Sequence, residues 1–202
     1  MTRLSDIVLD DITVQRARGG DRVALEAVYR ALAGPLFTLI CRLVRRRAVA
    51  EELLQETFVD VMRHIGTWEA RAPLTAWIRQ VAVRRCLMHL RSPWYRSVDW
   101  LDALAGEDGG GADALPSREP DLARTAEAGM DLDRALDELA PIARAVVWLH
   151  DVEGYTHEEI GAALGRKPGY SKSQLSRAHA RLRQLLEPTP VEPECTSLST
   201  NY

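Results

Sequence analysis

Lysine, cysteine and phenylalanine are all scarce in this 202-residue chain, and no run of apolar residues approaches the roughly 18 that would read as a membrane-crossing helix. The three cysteines, Cys41, Cys86 and Cys195, stand far apart, with no C-x-x-C pair and no short Cys/His spacing. That excludes a disulfide scaffold and a zinc finger, and the three read as reduced thiols. The N-terminus carries Asp6, Asp10 and Asp11 and lacks the basic-then-apolar order of a secretory signal, so a cytoplasmic location without a membrane segment is expected. There is no phosphate-cradling glycine loop, no G-x-S-x-G and no paired catalytic constellation, so an enzyme has no residue to rest on and no cofactor is expected. His150, Asp151, Glu153 and His157 bracket a loop and can be drawn as metal ligands, but they lack ligand spacing, and capping and solvation account for them.

Hydrophobic residues at 46% and charged residues at 27% fit a soluble globular chain. The periodicity throughout is helical. Residues 12–96 form a first unit. Its clearest segment is Ala50 to Ile65, where Leu53, Leu54, Phe58, Val61, Met62 and Ile65 recur on one side and Glu51, Glu52, Gln55, Glu56, Asp60 and Arg63 on the other. Before it, Asp21 to Arg47 carries a second apolar series that is expected to bend or break near Gly34-Pro35, because proline disfavours a helical residue before it. After a turn from Gly66 to Pro73, Leu74 to Leu90 supplies a further buried stripe through Trp77, Ile78, Val81, Leu87 and Leu90.

Residues 97–130 change character. They hold a Gly109-Gly110-Gly111 run, Pro116 and Pro120, and eight acids against Arg118 and Arg124, which reads as an acidic flexible linker. Residues 131–187 form a second helical unit. Pro141 suits a first helical turn. Thr156 with Glu159 makes a capping box for a short helix closed by Gly165, and Ser171 with Gln174 offers a second box for a longer helix striped by Leu175, Ala178, Leu182, Leu185 and Leu186. Short helix, tight turn and longer helix is the helix-turn-helix pattern. The tail, 188–202, is rich in Pro, Ser and Thr and is expected to be disordered. The fold class expected is all-α, two helical domains on a flexible acidic linker.

The net charge of -3 hides strong local charge. Gly165 to Leu186 contains Arg166, Lys167, Lys172, Arg177, Arg181 and Arg183 and no acid, which suits phosphate contact. Residues near the start of a docked second helix reach base edges, which nominates Lys172, Ser173, Gln174, Ser176 and Arg177, with Arg181 and Arg183 for the backbone. A solvated cationic face would carry the same charge, but capping, turn and charge agree on DNA. A second basic block, Arg79, Arg84, Arg85, Arg91 and Arg96, has no acid between Pro73 and Val98 and has Trp68, Trp77, Trp94 and Tyr95 nearby. Arginines with aromatics are the combination that holds single-stranded nucleic acid, although Trp77 fits a core stripe. The acidic outer face of Ala50 to Ile65 fits either solvation or docking of a basic protein.

Four motifs, in order, carry a family resemblance: Gly20-Asp21 with Ala24 to Arg30, Ala50 to Phe58, Leu74 to Ile78, and Asp151 to Gly161 followed by Lys172 to Ala178. Together they resemble the extracytoplasmic-function sigma factors of bacterial RNA polymerase, over nearly everything but linker and tail. The resemblance implies an alternative sigma factor that binds core RNA polymerase, recognises the -10 and -35 elements of promoter DNA and helps melt it. The first unit would be region 2, docking on the clamp helices of the largest polymerase subunit through Glu52, Gln55, Glu56, Asp60 and Arg63. The turn Gly66 to Thr75 and the following helix would hold the -10 element as a single strand, with Trp68, Arg71, Arg79, Arg84, Arg85 and Arg91, and trap a flipped base. The second unit would be region 4, placing Lys172, Ser173, Gln174, Ser176, Arg177 and Arg181 on the -35 element and another surface on the polymerase flap. The linker would run toward the polymerase active centre, and an anti-sigma factor is an implied partner.

The chain departs from the family pattern at Arg84 and Met88, where Asn and Asp are common, and at Tyr170 and Ser171, where Thr-Val often opens the recognition helix. Two other readings are a sigma mimic that sequesters an anti-sigma factor and a dimeric helix-turn-helix repressor. A mimic has no need of the basic helix and the basic aromatic block, and a repressor predicts a dimer with tight palindromic binding.

Overall fold

The computed structural model describes residue 4, residues 7–92 and residues 131–187, and all regular structure among them is helical. The acidic segment 97–130, the tail 188–202, and Trp94, Tyr95, Arg96 and Cys195 lie outside the described residues. Helix α1 spans Asp11–Arg18, α2 Arg22–Val44, α3 Arg47–His64 with a 3-10 turn at Ile65–Thr67, and α4 Leu74–Arg91. Then come α5 (131–137), α6 (Pro141–Val147) running on into a π turn at Trp148–Val152, α7 (His157–Ala163) and α8 (Pro168–Leu186).

Side-chain caps set the first two helix starts. The Asp10 carboxylate accepts the Thr13 N–H at 2.8 Å, and that of Asp21 accepts from Val23 at 2.8 Å and Ala24 at 3.1 Å. Asp21 also takes two bonds from the Arg16 guanidinium at 2.9 and 2.7 Å, which fixes α1 against the start of α2. Helix α2 is the axis of the first unit. Its Val28, Leu32, Leu36, Ile40, Leu43 and Val44 are fully buried, against Leu53, Phe58 and Val61 of α3 and Ile78, Val83, Cys86 and Leu87 of α4. Phe58 meets Tyr29 edge-on at 4.7 Å.

The break expected at Gly34-Pro35 does not occur: α2 runs through Pro35 to Val44. Proline forfeits one backbone bond, but the buried leucines on either side of it, Leu32 and Leu36, hold the helix in register against α3 and α4. Helix α2 ends where Arg45 turns left-handed at φ 58°. It has the length and apolar content of a membrane-crossing helix, which a count of consecutive apolar residues misses because Glu26, Arg30 and Arg42 interrupt the run. Met62, expected inward on α3, is exposed.

In the second unit Pro141 occupies the first turn of α6, and Ala145, Val146 and Leu149 bury against Ile160 and Leu164 of α7 and Leu175, Ala178 and Leu182 of α8. Leu132 at the start of α5 is exposed, whereas Leu136 and Leu139 are buried. The Thr156 capping box is formed, with the hydroxyl accepting from Glu159 N–H and the Glu159 carboxylate accepting from Thr156 N–H. The second expected box, Ser171 with Gln174, is not. Helix α8 starts four residues earlier, with Lys167 as its N-cap, because Pro168, with its φ already helical, takes the first turn, and Ser171 lies buried inside the helix.

The tight turn requires two glycines. Gly165 sits at φ 59°, and a Cβ on Gly161 would lie 2.9 Å from the Arg166 carbonyl oxygen and 3.2 Å from the Pro168 nitrogen. Backbone cannot yield as a side-chain tip can. Gly161→Ala is therefore expected to destabilise the second unit by about 1–3 kcal/mol, read as a lower denaturant midpoint at unchanged slope.

Candidate nucleic-acid and polymerase interfaces

Helix α8 buries Ser171, Leu175, Ala178 and Leu182 and turns Lys172, Ser173, Ser176, Arg177, Arg181 and Arg183 to solvent, with Gln174 half-buried. Lys172, Arg177, Arg181 and Arg183 form no ion pair among the described residues. The sequence-nominated residues therefore share one open cationic face, beside a shallow groove of about 420 Å³ lined by His157, Lys172, Leu175, Ser176, His179 and Arg183.

A polar clamp fixes that helix. The Asp151 carboxylate bridges His150 Nδ1 at 2.8 Å and His179 Nε2 at 2.6 Å, the His150 and His157 rings stack at 4.5 Å, and His157 Nδ1 lies 3.1 Å from the Ser171 hydroxyl. Three of the four residues drawable as metal ligands thus tie the π turn to α7 and α8, while Glu153 faces Arg79. Among the described residues no group of three or more His, Cys, Asp or Glu could hold a metal ion.

Partial burial pushes the Asp151 carboxyl up, but hydrogen bonds from His150 and His179 and their charge outweigh it and hold it below the ordinary 3.8. A depressed folded value stabilises above the unfolded one, so this contribution is present above about pH 4 and lost as pH falls through the lowered value. Asp151→Asn is expected to cost about 1 kcal/mol at neutral pH and to flatten the acid limb of stability. Thermal melts followed by circular dichroism between neutral and acid pH check both.

The six residues nominated for the -10 strand do not share one environment. Trp68 is 8% exposed, in the core rather than at an open loop, because the chain after α3 folds back beneath the N-terminal segment. It lines a cleft of about 520 Å³ with Leu4, Ile7, Leu9, Val14 and Leu74, and Arg79 is at the same cleft. Arg71 is exposed and pairs with Glu69 at 2.7 Å. Arg84 is exposed on the same row as exposed Met88. Arg85 turns sideways, with Nε 2.6 Å from Asp60 and Nη1 2.9 Å from Glu56, so it braces α3 rather than pointing outward. Arg79 and Arg91 reach the second unit, Arg79 to Glu153 at 3.6 Å and Arg91 to the Leu164 carbonyl oxygen. Trp77 is half-buried against the core.

On α3, Glu52, Gln55 and Arg63 are exposed, and Glu56 and Asp60 are half-buried against Arg85. Val59 and Met62 lie exposed in the same stripe, at the i+4 and i+7 positions from Gln55. Sequence reasoning missed both. Their signal was the helical spacing from Gln55, which placed them among the polar residues instead of the core.

The geometry defines a class: an all-helical, two-unit protein with a helix-turn-helix and, on α3, an outer stripe of mixed acidic and apolar residues. Comparison with known proteins gives the family. The family model for sigma-70 region 2 matches residues 28–95, and that for sigma-70 region 4 matches residues 129–182. The chain is similar to RNA polymerase sigma factor CarQ of Myxococcus xanthus, 33% identical over 89% of this chain and 98% of the relative. It is also similar to ECF RNA polymerase sigma factor SigE of Mycolicibacterium smegmatis, 33% identical over 83% of this chain and 64% of that protein. Among solved structures, sigma factor RpoE with the anti-sigma factor NepR from Bartonella quintana aligns at a TM-score of 0.56 and 23% identity, over 80% of this chain and 95% of that one, and agrees in fold. The chain belongs to the sigma-70 family, in its extracytoplasmic-function group, and is an alternative sigma factor of transcription initiation.

Proposed function

We propose that the two units divide the work of promoter recognition, residues 12–96 as region 2 and 131–187 as region 4, in a cytoplasmic protein that acts by binding and makes no bonds itself. The observation that carries this is the open cationic face on α8, whose Lys172, Arg177, Arg181 and Arg183 form no ion pair among the described residues, standing on a helix-turn-helix whose turn is fixed by Gly161 and Gly165. In the -35 major groove, Lys172, Ser173, Gln174, Ser176 and Arg177 reach base edges, and Arg181 holds phosphate. On α3, Glu52, Gln55, Glu56, Asp60 and Arg63, joined by Val59 and Met62, meet the clamp helices of the polymerase largest subunit.

Arg71, Arg79, Arg84 and Arg91 grip the -10 strand, and Trp68 acts from beneath as the wall of the cleft rather than as a stacking platform. Strand contacts offset the few kcal/mol of unstacking that melting requires. Arg85 serves this reading indirectly, by orienting Glu56 and Asp60. The solved neighbour from Bartonella quintana is bound to an anti-sigma factor, which supports a protein of that class as a partner here.

Transcription of genomic fragments by core polymerase with this chain tests the reading: new, discrete start sites are expected, and unchanged start-site selection overturns it. In such a holoenzyme Arg177→Ala should weaken promoter binding by about 1–3 kcal/mol and relax preference at one -35 position, whereas Arg181→Ala should lower the salt slope by about 1 at every sequence. Filter binding over a salt series separates the two.

A further inference from the structure

One flank of α8 sets two imidazoles among permanent cations. The groove of about 420 Å³ on that flank is lined by His157, Lys172, Ser176, His179 and Arg183, and no carboxylate is among its lining residues. His179 and Arg183 stand four residues apart, so their side chains are neighbours on the helix surface. The Asp151 carboxylate, on the π turn, lies 2.6 Å from His179 Nε2. An ionised carboxylate only accepts, so Nε2 carries the proton of that bond and Nδ1 of the neutral ring is a bare acceptor. Protonation turns Nδ1 into a second donor and leaves the bond to Asp151 in place. Few other charged groups stand near the ring. The π turn brings His150, which donates to Asp151 at 2.8 Å. Helix α7 brings His157, stacked on His150 at 4.5 Å and 3.1 Å from the Ser171 hydroxyl, while Glu159 is engaged at the Thr156 cap and Glu158 is exposed. Helix α6 brings Arg144, buried and 3.6 Å from Asp137.

We propose that His179 and Arg183 form a phosphodiester subsite beside the base-reading row of α8, and that the subsite fills with uptake of one proton by His179. The inference rests on the -35 role given to α8 above. With the ring neutral, Nδ1 offers a lone pair to phosphate oxygens that also only accept, and Arg183 holds the phosphate alone. With the ring protonated, its two N–H groups bridge the Asp151 carboxylate and the phosphate, and both bonds are of the charge-assisted kind. Duplex binding and protonation therefore favour each other, and the bound ring keeps its proton to higher pH than the free ring. Imidazoles ordinarily titrate at about pH 6.5. The added affinity is complete below that range and is lost as pH rises through the value of the bound ring. The guanidinium of Arg183 stays charged throughout, so the proton adjusts a contact that already exists.

The test uses the full chain and a short tetramethylrhodamine-labelled duplex of arbitrary sequence in low salt, because phosphate contact does not depend on sequence. Fluorescence anisotropy should show wild-type binding roughly fivefold tighter at about pH 6 than at about pH 8, the change that a one-unit displacement of one imidazole gives. The salt slope should steepen by about 0.9 at the lower pH, one phosphate contact more. His179→Gln keeps a donor for Asp151 but has no proton to exchange, and it should bind at the weaker level at both pH values. His179→Lys is charged at both and should bind at the tighter level at both. Circular dichroism melts at each pH establish that the variants stay folded. A flat wild-type profile, or a His179→Gln profile as steep as that of the wild type, overturns the proton-coupled subsite and leaves the cationic face of α8 standing. Absence of duplex binding at every pH overturns the -35 role of α8, and the subsite with it.

Discussion

Positive charge in this chain is almost entirely guanidinium, since all but Lys167 and Lys172 of its 26 basic residues are arginine. A guanidinium stays charged and presents a planar fork of donors, so each one must end on water, a carboxylate, a carbonyl, an aromatic face or a phosphate. Helix α4 shows how much depends on that allocation. Arg85 is committed sideways to Glu56 and Asp60, Arg79 and Arg91 are committed across to the second unit, and Arg84 is left facing solvent. The arginines of one helix thus brace α3, join the two units and leave one guanidinium open to solvent.

The apolar core makes this allocation possible. Helix α2, buried along its length between α3 and α4, sets the separation at which Arg85 can bridge to α3. With Glu56 and Asp60 drawn toward Arg85, the outer stripe of α3 becomes Glu52, Gln55, Val59, Met62 and Arg63, two apolar residues inside a polar rim, which is the anatomy of a protein-docking patch. In the second unit the same logic runs through Asp151, whose bridge to His150 and His179 fixes α8 so that its cationic face stays open.

Much of this was legible in the sequence because it depends on local chemistry. The Thr156 box, the Pro141 start, the Gly165 turn and the amphipathic stripe of α3 are set within a few residues, and the structure has each of them. The misreadings share a cause. Pro35 and Ser171 were judged by local preference, and tertiary burial of Leu32 and Leu36, or an earlier proline at 168, overrode it. Trp68 was judged by its place in a turn, whereas its burial depends on the N-terminal segment lying over it. The partners of Arg79, Arg85 and Arg91 are 25 or more residues away in sequence, where periodicity carries no information.

The central claim is that core polymerase takes up the α3 stripe. Hydroxyl-radical footprinting of the full chain, free and bound to core polymerase, tests it at Met62, which is 55% exposed in the free chain. The account predicts that on binding core Met62 becomes protected. Met62 remaining reactive in the assembled complex would contradict it.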